Sequence, residues 1–178
     1  MRRPALLVAV VVALSMGGCA TTTAAPPPPS AAFNPTDVAW LQLVVPMTEN
    51  ALSAARLAPD HAANPAVRTA AGSVAAPSER LLARLKAARD RAGLPAADVH
   101  SGHRMPGMVT AADLVALRTG RGQDFDQRLV ALLRAHATQL VVLAKGEQTS
   151  GADAGTRELA AEVGAEGARQ VQVLAGTQ

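Results

Sequence analysis

The sequence predicts an all-α fold, a four-helix bundle made of two copies of a two-helix unit that a long crossover loop connects. From Thr36 onward alanine dominates, β-branched runs are short and turn signals are widely spaced, as in helical domains. Two helix pairs with a long crossover between them are typical of ferritin-like bundles. One offset of 89 residues, which indicates a duplication, relates three pairs of positions: Asp37 and Asp126, Met47 and His136, Val74 and Val163.

The first predicted helix begins at a capping-type sequence, Asn34-Pro35-Thr36-Asp37, and runs to about Ala58. Pro59 and Asp60 are expected to end it. Its buried stripe is expected to alternate spacings of three and four residues, as the buried face of a helix does. That stripe consists of Val38, Leu41, Val45, Thr48, Leu52 and Ala55.

The second predicted helix opens at Asn64-Pro65, with asparagine as the cap and proline at the first helical position, and runs to about Arg91. Pro77 lies inside it, so we expect a kink or a short break there. The sequence Gly93-Leu94-Pro95 ends this helix and begins a long connection over residues 93–109.

The second half repeats the pattern after a short helix that begins at Thr110, where Asp113 completes a capping-box spacing. The third long helix is predicted from about Gln123 to Gln148, with Gly151 terminating it. Its stripe consists of Phe125, Leu129, Leu132, His136, Leu140 and Leu143. The fourth spans roughly residues 153–174, with an apolar side formed by Leu159, Val163, Val171 and Leu174.

Residues 1–18 have the composition of a bacterial export signal. Arg2 and Arg3 provide a basic start, and the apolar run over residues 6–14 is too short to span a bilayer. The sequence Met16-Gly17-Gly18-Cys19 is similar to a lipobox, in which the cysteine is lipidated and becomes the mature N-terminus. The alternative is an ordinary secretory signal with an incidental cysteine.

Three segments follow from this interpretation: a lipoprotein signal peptide (1–18), a Thr- and Pro-rich tether (19–35) and a helical domain (36–178). Proline-rich sequence cannot form a core and is semi-extended, so the tether would hold the domain off a membrane. We therefore predict an exported protein that is lipid-anchored to the bacterial cell membrane and faces its extracytoplasmic side. Labelled palmitate should enter at Cys19, the sole cysteine, which leaves none for a disulfide.

Charge and aromatic content argue against nucleic acid as a partner. Removal of Arg2 and Arg3 with the signal leaves 15 basic and 14 acidic side chains. With two Phe, one Trp and no Tyr, the chain has no aromatic platform for stacking bases. The sequence gives no indication of a protein partner or of the oligomeric state.

Met47 and His136 form the first pair of candidate metal ligands. They occupy equivalent positions in the two halves, and a pseudo-two-fold axis would bring them together inside the bundle. A thioether and an imidazole are soft ligands that suit Cu(I). The alternative is that Met47 fills core space and His136 is a buried histidine bonded to a neighbour. His61, between the first two helices, is predicted to be a plain surface residue.

The second candidate site is a loop in which His100, His103, Met105 and Met108 supply two imidazoles and two thioethers. Glycines between them permit a close turn around one copper ion. The alternative is that the methionines plug one end of the bundle as hydrophobic residues while the histidines lie in solvent.

Five basic residues crowd the end of the second helix, where cations are favourable in their own right. A solvated face is the default interpretation, and contact with anionic lipid headgroups is the alternative. These residues are Arg80, Arg84, Lys86, Arg89 and Arg91.

Motifs of catalysis are absent from the sequence. It contains no Gly-rich phosphate loop, no His-Glu-x-x-His helix, no Gly-x-Ser-x-Gly elbow and none of the Glu-x-x-His pairs of di-iron bundles. We therefore predict that the protein is not an enzyme.

The segment Met105-Pro106-Gly107-Met108, followed by Thr110 and Phe125-Asp126, resembles the family known as domain of unknown function 305, or DUF305. The similarity extends from about Asp37 to Leu174. The resemblance implies a duplicated ferritin-like bundle, export and, for several members, a link to copper. Other matching positions, in order, are Asp37 to Trp40, Pro46, Ala51, Ala55, Asn64-Pro65, Val67-Arg68, Leu117, Ala144, Glu147 and Gly151.

The departures from the family pattern are large. The resemblance implies a His-His pair in each half, but this chain has Met47-Thr48 in the first and His136-Ala137 in the second. Other inward-facing positions of the family have become apolar, small or otherwise altered in this chain: Ala54, Ser78, Leu81, Leu143, Gly167 and Gln170. Two functional hypotheses follow. The lost histidines favour a structural or partner-binding envelope lipoprotein without metal, while the family favours copper binding or sequestration.

Overall fold

The computed structural model describes residues 32–98 and 104–177, and these are helical apart from short connections. No strand occurs in these two ranges; Ala62 and Gly122 form one isolated parallel bridge. The predicted all-α class is confirmed. The helices are α1 (Pro35–Ala55), α2 (Ala58–His61), α3 (Pro65–Arg91), α4 (Ala111–Thr119), α5 (Gly122–Ser150) and α6 (Ala154–Ala175).

Four long helices form the bundle. α1 packs on α3 and α5, and α6 packs on α5 and α3, so the four close into a ring around one interior. The two short helices are peripheral: α2 contacts α3 and α5, and α4 contacts α1 and α5. α5 is long and apolar enough to meet the length and hydropathy criteria for a membrane span, but one side of it faces the bundle interior.

The helix starts follow the predicted capping residues. At α1 the Asn34 side chain accepts hydrogen bonds from the backbone N–H groups of Thr36 and Asp37, and Asp37 accepts from Asn34 in return. Thr110 and Asp113 form the predicted capping box at α4. Such side-chain caps satisfy backbone donors that no helical carbonyl can reach. The helical domain therefore begins with the cap at Asn34, within the segment predicted as tether.

The predicted end of the first helix is wrong. α1 stops at Ala55, and Pro59 belongs to the first turn of the separate one-turn helix α2. Proline has no backbone N–H to continue the ladder of α1, but it is well suited to a first helical turn.

Of the two outcomes expected at Pro77, a short break is absent, because α3 is continuous from Pro65 to Arg91, and a kink stays a prediction. Proline leaves the carbonyl four residues earlier without its helical donor. That carbonyl belongs to Ser73, and it accepts a hydrogen bond of 2.7 Å from the Arg169 guanidinium on α6. A tertiary contact thus replaces the missing helical bond.

The duplication is visible in two reciprocal hydrogen-bonded caps. Asp126 on α5 accepts from the backbone N–H groups of Ala63 (3.2 Å) and Asn64 (2.8 Å), which precede α3. Asp37 on α1 accepts from Ala152 and Asp153, both at 3.1 Å, which precede α6. The offset of 89 residues relates every member of one set to a member of the other, so each half caps the second helix of its partner half.

Two apolar clusters fill the bundle, one near each end. The first contains Val67 and Val74 of α3 with Phe125 and Leu129 of α5. The second contains Leu41 of α1 and Leu85 of α3 with residues of α5 and α6. On each long helix, a short stretch of residues lies between the two clusters and belongs to neither. This stretch is where the candidate site lies.

Candidate functional site

Mid-height residues of the four long helices form what we call the middle layer: Met47, Thr48, Ser78, His136 and Gln170. All five are buried, and each occurs in the chain between residues of the two apolar clusters. The offset analysis predicted Met47 and His136 at this level.

His136 is buried, and its ring forms no hydrogen bond that meets the geometric criteria with a described residue. It is 1% exposed, and neither ring nitrogen has a hydrogen-bond partner among the described residues. Burial lowers its pKa from 6.5 to about 4, while the main chain of Gly107 acts in the opposite direction. That contact does not reach hydrogen-bond geometry. The imidazole is therefore neutral at neutral pH, and a nitrogen lone pair is available to a ligand. Because the main chain of Gly107 acts on this ring, the alternative of a buried histidine bonded to a neighbour stays a prediction.

Gln170 adds a second unsatisfied group to the middle layer. Its amide nitrogen donates to Ser78 Oγ at 3.2 Å and to Glu166 at 2.9 Å. Its Oε1 is buried without a partner among the described residues. Thr48, in contrast, donates to the Val44 carbonyl of its own helix. Buried polar atoms are usually bonded, so three orphaned atoms on two neighbouring helices require an explanation.

A tight turn presents the two loop methionines beside α5. Met108 N–H donates to the Met105 carbonyl at 3.1 Å, and Gly107 has φ of 72°. Proline followed by a glycine with positive φ is the pattern of a type II β-turn, whose first and fourth residues lie close together. Met105 and Met108 are both half-buried, and Val109 is fully buried in the first apolar cluster.

The turn packs directly against the helix that carries His136. A Cβ added at Gly107 would lie 2.7 Å from the Ala135 carbonyl and 2.5 Å from Gln139 Cβ. Only glycine allows this approach. The methionine turn of the second candidate site therefore lies next to the segment of α5 that carries His136 of the first. His100 and His103 lie outside the described residues.

The donor set fits a soft, singly charged ion better than a hard or divalent one. It offers one neutral imidazole and nearby thioethers, which are ligands typical of Cu(I). Within residues 32–98 and 104–177, no group of three or more His, Cys, Asp or Glu side chains converges as a metal site. His136, Met105, Met108 and Met47 are the residues that would hold the ion.

Comparison with known proteins agrees with this architecture. Residues 37–177 match the family described as "Domain of unknown function (DUF305)". The chain belongs to the DUF305 family. A DUF305 fragment from Deinococcus radiodurans has a similar structure, with a TM-score of 0.72, 19% identity and coverage of 81% of this chain and 95% of that one. A "putative secreted protein DUF305" from Streptomyces coelicolor gives a TM-score of 0.68, 20% identity and coverage of 79% and 90%. No curated protein matches the sequence.

Most of the residues that depart from the pattern implied by the resemblance are buried. Met47-Thr48 and His136-Ala137, which replace the two implied His-His pairs, are all buried at mid-height. Ser78, Gly167 and Gln170 are buried too, whereas Leu81 is half-buried. Ala54 lies in the first apolar cluster, and Leu143 packs on the second.

A buried carboxyl pair at the end of the bundle was not predicted from the sequence. Glu147 is 1% exposed and lies beside Asp37. Burial first, then the neighbouring Asp37 carboxylate, raises the pKa of Glu147 to about 8. Burial also works to raise the pKa of Asp37, but the adjacent Glu147 carboxyl and hydrogen bonds from three backbone N–H groups outweigh it, and that pKa is lowered.

Glu147 is therefore protonated near neutral pH, while Asp37 is ionised. Neither Glu147 oxygen has a hydrogen-bond partner among the described residues. Gly151 makes the arrangement possible, because a Cβ there would overlap the Glu147 carboxyl. Both residues matched the family pattern, and Asp37 was already marked by the offset of 89. Those signals, taken together, point to the pair.

One prediction about a surface residue changes, and the basic end of α3 carries exposed ion pairs. His61 is a structural residue, since its Nδ1 lies 3.1 Å from the Leu117 carbonyl and 3.0 Å from the Gly120 carbonyl, and its ring contacts Phe125. In the basic cluster on α3, three of the five cations have acidic neighbours. Arg84 pairs with Glu162, Lys86 with Glu49, and Arg89 with Asp90.

Proposed function

We propose that this DUF305 protein binds and sequesters Cu(I) in the cell envelope, with His136 as the central ligand. The observation that carries the proposal is the buried His136 ring, which has no partner at either nitrogen among the described residues. Leaving a buried polar group unpaired costs about 1–3 kcal/mol. A bound metal ion would supply the missing partner and offset that cost.

The surroundings of His136 support a monovalent ion. The same burial that lowers the pKa of the ring opposes any positive charge, and the cost of burying a charge rises steeply with its magnitude. Neutral thioethers from Met105 and Met108 would stabilise Cu(I) through soft coordination. Met47, fully buried at the same height on α1, is the fourth candidate ligand.

The proposed role is binding without catalysis. His136 is held neutral by burial, and the Glu147 carboxyl lies three helical turns further along α5, about 16 Å at 1.5 Å per residue. No acid–base pair is therefore placed at the metal ligands. Copper would supply redox capacity if exposed, and burial between helices would withhold that capacity from solvent.

The proposal includes export and a lipid anchor. The signal-like residues 1–18, the lipobox-like Met16-Gly17-Gly18-Cys19 and the proline-rich tether support it, as does the secreted description of the Streptomyces coelicolor relative. Labelled palmitate should be incorporated in cells, and a Cys19→Ala variant should lose the label. Label that persists in that variant would rule out the anchor at Cys19.

The metal proposal is tested by Cu(I) titration against a competing chelator under reducing conditions. A Cys19→Ser background removes the thiol that would otherwise bind Cu(I). We expect one-to-one binding that weakens at least tenfold in His136→Leu and in the double variant Met105→Leu/Met108→Leu. A His100→Gln/His103→Gln variant reports whether the loop histidines contribute. A Cu(I) affinity equal to that of the wild type in either the His136 variant or the methionine variant would contradict the proposed site.

A further inference from the structure

The two reciprocal caps share one hydrogen-bond pattern but differ in the residues that lead into them. We call them the α3 cap (Asp126 with the N–H groups of Ala63 and Asn64) and the α6 cap (Asp37 with those of Ala152 and Asp153). The chain enters the α3 cap through Ala58 and Ala62. The offset of 89 residues places Glu147 and Gly151 at the same points before the α6 cap. The α3 cap therefore forms without a carboxyl group at this position.

Glu147 and Gly151 fit each other as a pair. The backbone is the same in both halves, since Ala62 N–H donates to the Ala58 carbonyl at 3.0 Å and Gly151 N–H donates to the Glu147 carbonyl at 2.8 Å. A Cβ at Gly151 would overlap the Glu147 carboxyl, so this glutamate requires the glycine. Both are absent from the first half, where two buried alanines stand instead. Glu147 is thus an ionisable group added to a cap that does not need one.

The α6 cap joins three segments of the chain through one side chain. Asp37 accepts from Asn34 N–H at 2.6 Å, in addition to the two N–H groups that precede α6. The Asn34 side chain in turn donates to the Ser150 carbonyl at the end of α5 at 2.7 Å. We call this arrangement the joint. It connects the start of α1, the end of α5 and the start of α6.

The surroundings of Glu147 oppose its ionisation. The side chain is 1% exposed, and neither of its oxygens has a hydrogen-bond partner among the described residues. The Asp37 carboxylate of α1 and Asp153 before α6 add like charge, and Arg157 on α6 is the cation that favours the ionised form. Arg157 is exposed, so solvent and salt screen its effect. Two adjacent buried carboxyl groups cannot both be ionised without a large cost.

The α3 side of this end of the bundle carries one further cation. Arg91, the last residue of α3, lies near Gly155 in the first turn of α6. Its side chain is exposed. A negative charge on Glu147 would therefore act mainly on Asp37, the residue through which the joint is connected.

We propose that Glu147 is a proton-controlled latch on the joint. While Glu147 is protonated, the joint is closed. Loss of the proton opens it locally and frees the first turn of α1 and the connection between α5 and α6, while the rest of the bundle stays folded. The α3 cap, with Ala58 at the equivalent position, has no such control. This proposal does not depend on copper binding.

The sign of the pH dependence follows from the two states of Glu147. In the closed joint its pKa is raised to about 8, whereas a solvated glutamate has its ordinary value of 4.5. Between these values the closed joint holds a proton that the open joint releases, so each pH unit favours opening tenfold. From pH 6.5 to pH 8 the population of the open joint should increase about 30-fold.

Amide hydrogen exchange followed by NMR measures this opening in the metal-free Cys19→Ser protein. Exchange rates are divided by those of an unstructured peptide at the same pH, which gives a protection factor for each amide. The protection factors of Ala152 and Asp153 should fall about 30-fold from pH 6.5 to pH 8. Ala63 and Asn64 of the α3 cap are the internal control, and their protection factors should stay constant.

Variants assign the effect to the carboxyl group. Glu147→Gln should abolish the fall at Ala152 and Asp153. The double variant Glu147→Ala/Gly151→Ala gives the second half the alanine pair of the first, and should keep the α6 cap while losing its pH dependence. Glu79→Gln, which removes an exposed carboxylate elsewhere, is the matched control and should show the wild-type fall.

Constant protection factors at Ala152 and Asp153 in the wild type would overturn the proposal. An equal fall at Ala63 and Asn64 would also overturn it, because the whole bundle would then be opening. A fall that survives in both Glu147 variants would assign the effect to another group. Because the protein is metal-free, none of these outcomes bears on the copper site.

Discussion

Replacing Glu147 with glutamine should stabilise the fold in mildly alkaline solution. The pKa of Glu147 is raised from 4.5 to about 8 by burial and by Asp37. Between these values the folded protein holds a proton that the unfolded chain has released, so stability falls as pH rises. Each pH unit in this window removes about 1.4 kcal/mol from the free energy of unfolding.

His136 opposes this trend over part of the range. Its pKa is lowered from 6.5 to about 4, so the unfolded chain binds a proton that the folded protein excludes. Stability therefore rises with pH between those values, with the same slope and the opposite sign. The two contributions cancel from pH 4.5 to 6.5. Above pH 6.5 the Glu147 contribution acts alone and should remove about 2 kcal/mol by pH 8.

Glu147→Gln removes the ionisation and keeps the shape of the side chain. The glutamine amide can donate a hydrogen bond to the neighbouring Asp37 carboxylate. Urea unfolding followed by circular dichroism at pH 6.5 and pH 8 measures the effect. The advantage of the variant over wild type should grow by about 2 kcal/mol between these two pH values.

The control is Glu79→Gln, which removes an exposed carboxylate that pairs with Arg56. Exposed pairs contribute little, so its curve should run parallel to that of the wild type. If the free energies of unfolding of wild type and Glu147→Gln change in parallel between pH 6.5 and 8, the raised pKa of Glu147 is refuted.

Three further predictions concern the site and its scaffold. Gly107→Ala should lower the melting temperature and weaken Cu(I) binding, because its Cβ would overlap α5 at a positive φ; Gly146→Ala, with nothing within 4 Å, should be neutral or stabilising in the same melt. His136→Leu should raise the metal-free stability by about 1–3 kcal/mol, since it removes an unpaired buried group, and a loss in chemical denaturation would argue against an orphaned ring. Asp126→Asn should cost about 1–3 kcal/mol by weakening the cap of α3, and hydrogen exchange should then rise first at Ala63 and Asn64; unchanged exchange there would contradict the cap.

Local chemistry explains which elements could be predicted from the sequence. The helix starts depend on side chains within three residues, as at Asn34 and Thr110, so the caps were identifiable. The end of α1 was placed too late because a proline that ends one helix can also begin the next. The continuity of α3 depends on Arg169, almost a hundred residues away, donating to the Ser73 carbonyl. No local pattern contains that contact.

The candidate site was only partly accessible to sequence reasoning. The offset of 89 residues predicted that Met47 and His136 face the bundle interior from equivalent positions, and both are buried. The docking of the methionine turn depends on the fit of Gly107 against the Ala135 carbonyl, which is a tertiary property.

If a soft metal ion binds His136 and the methionine turn together, both should respond to one ion. NMR with Ag(I), a diamagnetic soft ion like Cu(I), tests this in the Cys19→Ser background. One equivalent of Ag(I) should shift the His136 ring signals and the methyl signals of Met105 and Met108 at the same stoichiometry. If the methionine methyls shift while the His136 ring does not, the turn binds metal alone and the buried imidazole is not a ligand.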